Sequence, residues 1–234
     1  MSGIFNRFSE TAKRFEDLPS LQMKGEDGLK SFTFRDISDR AVGIGHYLSS
    51  LGIIKGDRVA IFSENCPEWG MAYLGIVSTG VVAVPLDAQY TKVEAENLLK
   101  DSESRAIFTS KALLPIVEEA STALNIKIIR LDEPVPGNPP SPPFAKGGEV
   151  SESPFEKGGF RGILNDDIAS LLYTSGTTGV PKGVMLTHGN LLSNADAIIE
   201  SGIVAKDDHV LGILPLHHSY PFMVCFLVPI LAGG

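Results

Sequence analysis

Residues 174–183 read Thr-Ser-Gly-Thr-Thr-Gly-Val-Pro-Lys-Gly, and this stretch decides how the chain is interpreted. It holds four hydroxyl side chains, three glycines, one proline and one lysine. Glycine lets a backbone approach a ligand closely and adopt positive φ, so that consecutive N–H groups can converge on one anion. The hydroxyls add donors, and Lys182 supplies a positive charge suited to phosphate. The composition predicts a loop that wraps a polyphosphate, because an ordinary Gly/Ser/Thr turn needs far fewer such residues.

The Walker-type phosphate loop, G-x-x-x-x-G-K-[ST], has a similar composition and runs from a strand directly into a helix. Counted from Gly176, its second glycine position holds Pro181, and a glycine follows Lys182 where magnesium binding needs serine or threonine. Residues 184–187 read as a short strand, and helix signals begin only at His188. The sequence therefore argues against a Walker loop.

The stretch instead resembles the signature loop of the adenylate-forming superfamily, which includes acyl-CoA synthetases, luciferases and peptide-synthetase adenylation domains. Each position from Tyr173 to Gly183 fits that pattern. The resemblance implies an α/β fold of doubly wound, mostly parallel sheets, here expected to be incomplete at its C-terminus. It also implies that the loop holds the β- and γ-phosphates of ATP, that Lys182 is catalytic and that Thr174 helps to seat Mg²⁺. The residues expected to bind the nucleotide are Thr174, Ser175, Gly176, Thr177, Thr178, Gly179 and Lys182.

Composition narrows the functional classes. The 234 residues are 43% hydrophobic, which is enough for one large or two modest domains with a core. A net charge of −8 without a Lys/Arg cluster argues against a nucleic-acid partner. Cys66 and Cys225 make no disulfide framework and are interpreted as reduced packing residues.

No targeting or membrane-spanning segment is predicted. Residues 1–17 lack the apolar core of a signal peptide. The longest apolar stretch, 222–232, contains Pro229 and is too short to cross a bilayer, so it is interpreted as a buried helix. We expect a cytoplasmic protein, and peripheral membrane contact stays open.

Helical and strand-like patterns alternate along most of the chain. Apolar spacing predicts a helix over 34–51 ended by Gly52, and Thr91 has the spacing of a capping box. This alternation implies βαβ units and a mostly parallel sheet. Further helices are expected at 67–79, 91–100, 112–124 and 190–200, and strands at 58–62, 81–84, 106–109, 127–131, 169–173, 184–186 and 210–214.

The pattern breaks at 132–164, which is rich in proline and paired glycines. It contains a degenerate repeat, in which residues 141–148 return as 153–159. Such a segment cannot bury enough apolar surface to offset its ordering entropy, so it is interpreted as a mobile linker or insertion. A polyproline ligand for an SH3-like partner is the alternative. The expected division is a first α/β subdomain at 1–131, this linker, and the start of a second subdomain at 165–234.

A second constellation, residues 214–222, reads Leu-Pro-Leu-His-His-Ser-Tyr-Pro-Phe after the expected strand 210–214. In open α/β sheets, residues just beyond strand carboxyl ends line the ligand crevice. Histidines, hydroxyls and aromatics there suit a site for a carboxylate and an apolar chain. Taken alone, a His pair on a loop is more typical of surface or packing chemistry, and nothing nearby completes a metal site.

Its position downstream of the loop matches the acyl pocket of the adenylate-forming family. The resemblance implies that His218 approaches the acyl carboxylate and the α-phosphate, and that Phe222 borders the acyl tunnel. Luciferase-like members also carry a His-His pair, but residues 219–221 depart from their glycine-rich continuation, so light emission is not implied. The stretch is most similar to bacterial medium- and long-chain fatty-acid CoA ligases.

The resemblance implies that a carboxylate substrate reacts with ATP to give an acyl-adenylate, which coenzyme A then captures. The family's magnesium acid, ribose aspartate and C-terminal lysine domain lie beyond Gly234 in sequence order. The chain alone is therefore expected to be inactive, with the rest supplied by a full-length protein or a second chain. An adenylation domain for an amino or aryl acid and a non-catalytic truncated remnant are the alternatives.

Overall fold

The computed structural model describes residues 3–25, 28–136, 162–174, 181–204 and 208–234. Its strands are β1 (Pro19–Gly25), β2 (Gly28–Thr33), β3 (Arg58–Phe62), β4 (Val82–Leu86), β5 (Ala106–Thr109), β6 (Lys127–Arg130), β7 (Ile168–Thr174) and β8 (Lys182–Thr187). Its helices are α1 (Ile4–Arg14), α2 (Phe34–Ser50), α3 (Pro67–Ser78), α4 (Lys92–Asp101), α5 (Leu114–Ser121), α6 (His188–Glu200), α7 (Ser219–Pro221) and α8 (Val228–Ala232), with a π-helix (Phe222–Leu227) between the last two.

The main sheet has six strands in the order β6-β5-β3-β4-β7-β8. All neighbouring pairs are parallel except β7 and β8, which are antiparallel. The expected mixed α/β fold with a mostly parallel sheet is confirmed. β1 and β2 form a separate antiparallel ribbon, which the sequence patterns did not predict.

Helix ends follow local signals in the sequence. The Thr91 hydroxyl accepts a hydrogen bond from the Glu94 N–H, and the Glu94 carboxylate accepts one from the Thr91 N–H, as the capping-box spacing predicted. Thr187 and Asn190 make the same reciprocal pair at the start of α6. Gly52 adopts φ +73° just after α2, a conformation that a residue with a side chain adopts at a cost.

Helices cover both faces of the main sheet. Side chains along β3 alternate: Val59 and Ile61 join the core cluster that contains α1, α2, α3, α6 and the C-terminal helical segment. Ala60 and Phe62 join the cluster that contains α4 and α5. This is the doubly wound arrangement that continuous apolar runs in central strands favour.

The expected buried helix over 222–232 is confirmed, but half of it is a π-helix. This segment packs against α1 and α6, and Thr11 donates to the Leu231 carbonyl oxygen at 3.0 Å. Within the described ranges, no helix combines the length and the hydropathy needed to cross a bilayer.

One expected strand is wrong. Residues 210–214 lie outside any sheet, and the side chains of Leu211 and Ile213 are 77% and 74% exposed. The run is apolar, but none of the described strands lies beside it to pair with its backbone. The expected helix over 112–124 is shorter and spans α5 only.

The division into two subdomains stays a prediction. β7 and β8, from the second expected subdomain, extend the sheet that β3 to β6 build. Most of the predicted linker, residues 137–161, lies outside the described residues.

Candidate active site

The strand order reverses at β3 and β4. α3 leaves β3 on one face of the sheet and leads to β4, whereas α4 leaves β4 on the opposite face and leads back across β3 to β5. The connections that follow β3 and β4 therefore leave the carboxyl ends of these strands toward opposite faces of the sheet. In open α/β sheets this is where ligand crevices form.

The two ends of the predicted phosphate loop lie side by side. Thr174 ends β7 and Lys182 begins β8, and the two residues are register partners across the antiparallel pair. Both side chains are exposed, and the Thr174 hydroxyl lies 3.5 Å from the Lys182 carbonyl oxygen. Ser175, Gly176, Thr177, Thr178 and Gly179 lie outside the described residues.

The loop begins level with the end of β4. Ala83 of β4 is the register partner of Ser170 of β7, and the strands are parallel. Counting four residues onward from this pair reaches Thr174, the last residue of β7, and Asp87, the residue just after β4, at the carboxyl edge. Neighbouring strands are about 4.8 Å apart, so Asp87 and Thr174, where the predicted phosphate loop begins, share one edge of the sheet.

Asn65, which follows β3, anchors the segment that carries the histidines. Its side-chain amide donates to the carbonyl oxygens of Gly212 at 3.0 Å and Leu214 at 2.8 Å. Its amide oxygen accepts from the Leu216 N–H at 3.1 Å. This irregular backbone thus obtains from one side chain the partners that a strand would have supplied.

The His pair lies against the residue that follows β4. Nε2 of His217 is 3.1 Å from Nε2 of His218 and 3.4 Å from the Asp87 carboxylate. The His217 side chain is 9% exposed, whereas His218 is exposed. Burial lowers the pKa of His217, the Asp87 charge opposes that shift, and the neighbouring His218 adds to it.

Phe222 lies in the core and not on an open surface. It is 2% exposed, and its ring centroid is 4.7 Å from that of Tyr73 and 5.7 Å from that of Phe226. Trp69 completes the cluster. His218 and Phe222 are joined by one helical hydrogen bond, from the Phe222 N–H to the His218 carbonyl oxygen at 3.0 Å.

Asn65 and Asp87 are the site residues that the sequence analysis missed. Both stand one to three positions beyond a buried parallel strand, β3 or β4. That position is the signal that could have identified them, because strand carboxyl ends line the crevice. Among the residues the structure describes, no group of three or more His, Cys, Asp or Glu side chains could hold a metal ion.

A sequence profile of the family described as AMP-binding enzyme matches residues 8–234. The chain belongs to the AMP-binding enzyme family. Its relatives are CoA ligases with different acids in their names. It is 32% identical to a long-chain-fatty-acid–CoA ligase of Bacillus subtilis, over 91% of this chain and 41% of the relative. It is also 32% identical to an oxalate–CoA ligase of Arabidopsis thaliana, over 100% of this chain and 44% of the relative.

Several solved structures share the fold. ATP-bound MatB from Rhodopseudomonas palustris superposes with a TM-score of 0.77 at 25% identity, over 100% of this chain and 44% of that one. A fatty acyl-adenylate ligase from L. pneumophila gives a TM-score of 0.79 at 24% identity, over 99% of this chain and 38% of that one. The chain thus spans less than half the length of these relatives.

Proposed function

We propose that this chain forms the ATP- and acyl-binding part of an AMP-forming acid–CoA ligase. The observation that carries the proposal is a shared edge. Thr174, at the start of the predicted phosphate loop, ends the strand that neighbours β4, and Lys182 is its register partner on β8. Asp87, which follows β4, contacts His217 of the His pair. A polyphosphate bound at the predicted loop and a carboxylate bound at the His pair would therefore be adjacent.

The reaction has two steps. A carboxylate oxygen of the acid attacks the α-phosphorus of ATP, and pyrophosphate leaves, which gives an acyl-adenylate. The thiolate of coenzyme A then attacks the acyl carbon, and AMP leaves. Chemistry of this kind depends on positioning and on neutralising charge across the phosphates.

Each residue has an assigned role in that chemistry. The Lys182 ammonium neutralises charge on the phosphates of ATP, and residues 175–179 contribute backbone N–H groups and hydroxyls. The exposed Thr174 hydroxyl at the mouth of the loop is an oxygen ligand of the type that Mg²⁺ accepts. His218, which is exposed and lies next to His217, donates to the acyl carboxylate.

The acid that we assign is a fatty acid. The similarity to the Bacillus subtilis long-chain ligase supports this, together with the exposed apolar side chains of Leu211 and Ile213 beside the His pair in sequence. The oxalate relative has equal identity, so the acid is the point that the experiment must decide.

Calorimetry on the 234-residue chain tests both parts. Titration with ATP and magnesium should show saturable binding, and Lys182→Ala should weaken it by about tenfold or more, the loss expected for a charge-assisted contact. Lys127→Ala is the matched control, because Lys127 lies on β6 at the opposite edge of the sheet. Dodecanoate should bind in the presence of ATP, and oxalate and 4-coumarate should not. A folded chain that binds no ATP would refute the proposal. A preference for oxalate or coumarate would refute the assignment of a fatty acid as the substrate.

A further inference from the structure

The two histidine rings must share one hydrogen. Their Nε2 atoms are 3.1 Å apart, and the ring centroids are 4.0 Å apart. At that separation two bare nitrogens repel each other, and two N–H groups clash. With both rings neutral, one Nε2 carries a hydrogen and the other accepts it.

Asp87 decides which ring carries that hydrogen. Its Oδ2 lies 3.4 Å from Nε2 of His217. Its Oδ1 accepts from the Gln89 N–H at 2.9 Å, which holds the carboxylate in this orientation. A negative charge beside Nε2 of His217 favours N–H there over a lone pair. The hydrogen on His217 is then donated to Nε2 of His218, and the Asp87 carboxylate lies 3.4 Å from the nitrogen that carries it.

We propose that Asp87 and His217 are positioning residues that hold His218 as the Nδ1–H tautomer. With its Nε2 occupied as an acceptor, His218 keeps Nδ1–H as its one ring donor. Under the proposed function, on which this role rests, that N–H is the group that contacts the acyl carboxylate. Tautomer control by a neighbouring carboxylate is a recurring way of orienting a working histidine.

The surrounding backbone favours a fixed arrangement. Asn65 holds Leu216, the residue before His217. The His218 N–H donates to the Pro215 carbonyl oxygen at 3.3 Å, and the His218 carbonyl oxygen accepts from Phe222. The charged and titratable groups that face His217 are Asp87 and His218, and burial lowers the pKa of His217, which keeps it neutral near pH 7.

Long-range nitrogen-15 NMR spectra of the 234-residue chain report the tautomer directly. Near neutral pH, His218 should show the Nδ1–H pattern and His217 the Nε2–H pattern, with resonances assigned from His217→Gln and His218→Gln. Asp87→Asn, which removes the charge, should give His218 a mixture of tautomers. Asp196→Asn on α6 is the matched control and should change neither ring.

The native spectrum tests the tautomer of His218, and the spectrum of Asp87→Asn tests its cause. Nε2–H on His218, or a mixture of tautomers in the native chain, would overturn the proposal. So would a folded Asp87→Asn variant with an unchanged His218 pattern. The tautomer and ligand binding are independent readouts. A chain with the expected tautomer that binds neither ATP nor dodecanoate would refute the proposed function. The tautomer assignment for His217 and His218 would still stand. A chain that binds both ligands but has His218 in the other tautomer would refute the positioning role and support the proposed function.

Discussion

The Asn65 side chain donates to the carbonyl oxygen of Leu214 at 2.8 Å, across 149 positions of sequence. The same NH₂ group also donates to the Gly212 carbonyl oxygen, and the amide oxygen accepts from the Leu216 N–H. Both the nitrogen and the oxygen of the Asn65 amide are therefore hydrogen-bonded. The end of β3 and the segment before the His pair are thereby joined. Only an amide supplies the donors and the acceptor at once, so Asn65 should be hard to replace.

We expect Asn65→Asp to release the segment 212–216. A carboxylate would face two carbonyl oxygens with no donor between them, and the cost should be about 1 to 3 kcal/mol. Hydrogen exchange of the Leu216 amide, with urea unfolding in parallel, measures this. Asn97→Asp, on the exposed face of α4, carries the same change of charge and should leave the Leu216 exchange rate unaltered. Equal exchange in the two variants would contradict the anchoring role.

The burial of Phe222 gives a second prediction. Phe222→Ala should lower the free energy of unfolding by about 3 to 5 kcal/mol, the range for truncating a core aromatic. The matched control is Tyr220→Ala, because Tyr220 is two residues away and 67% exposed, and it should stay within about 0.5 kcal/mol of the parent chain. Urea denaturation measures both. A loss below about 1 kcal/mol for Phe222→Ala would show that this ring is not a core residue.

The predicted role of Phe222 at an acyl tunnel needs a milder substitution. Phe222→Leu keeps most of the apolar volume, so the chain should remain folded. If the ring borders the acyl chain, this change should alter the relative affinity for octanoate and hexadecanoate, since each buried methylene contributes about 0.8 kcal/mol. Calorimetry with both acids in the presence of ATP measures it. An unchanged ratio would restrict Phe222 to packing.

Sequence patterns predicted the elements whose signals are local. The capping box at Thr91 and the strand over 58–62 depend on neighbouring residues only, and both are present. The expected strand over 210–214 is absent because an apolar run becomes a strand only when another strand pairs with it. Here the partner of that backbone is Asn65, far away in sequence.

The site was partly predictable for the same reason. The composition of residues 174–183 predicts a phosphate loop without reference to the fold. Asp87 has no such signature, because its carboxylate matters only through the register that places β4 beside β7 and through the His pair that folds onto it. Sequence spacing contains neither of these facts.

A fourth prediction concerns the capping boxes. Thr91→Ala removes the hydroxyl that accepts from the Glu94 N–H, and Thr187→Ala removes the one that accepts from the Asn190 N–H. Each should cost about 1 kcal/mol of the free energy of unfolding. Thr91→Ser and Thr187→Ser retain the hydroxyl and should recover most of that loss in urea unfolding. Equal losses for the alanine and serine variants would mean that the methyl group, and not the cap, matters.

His188 links α6 to α1. Its side chain is fully buried, and its Nδ1 accepts a hydrogen bond from the Ile4 N–H at 3.2 Å. Burial lowers the pKa of His188 from 6.5 to about 4, against the opposing charge of Asp167 and with a smaller contribution from Lys55. A neutral ring is required here, because a proton on Nδ1 would remove the acceptor for Ile4.

The last prediction follows from the sign of that shift. Above pH 6.5 His188 is neutral in both the folded and unfolded chain, so it contributes no pH dependence. As the pH falls from 6.5 to 4 the unfolded chain binds the proton and the folded chain does not, so stability should fall, by about 3 kcal/mol in total. Urea unfolding across this range should show the loss. His188→Gln should flatten it, and His209→Gln, at an exposed histidine, should not. NMR titration of His188 in the native chain checks the cause directly, and a measured pKa near 6.5 would contradict it.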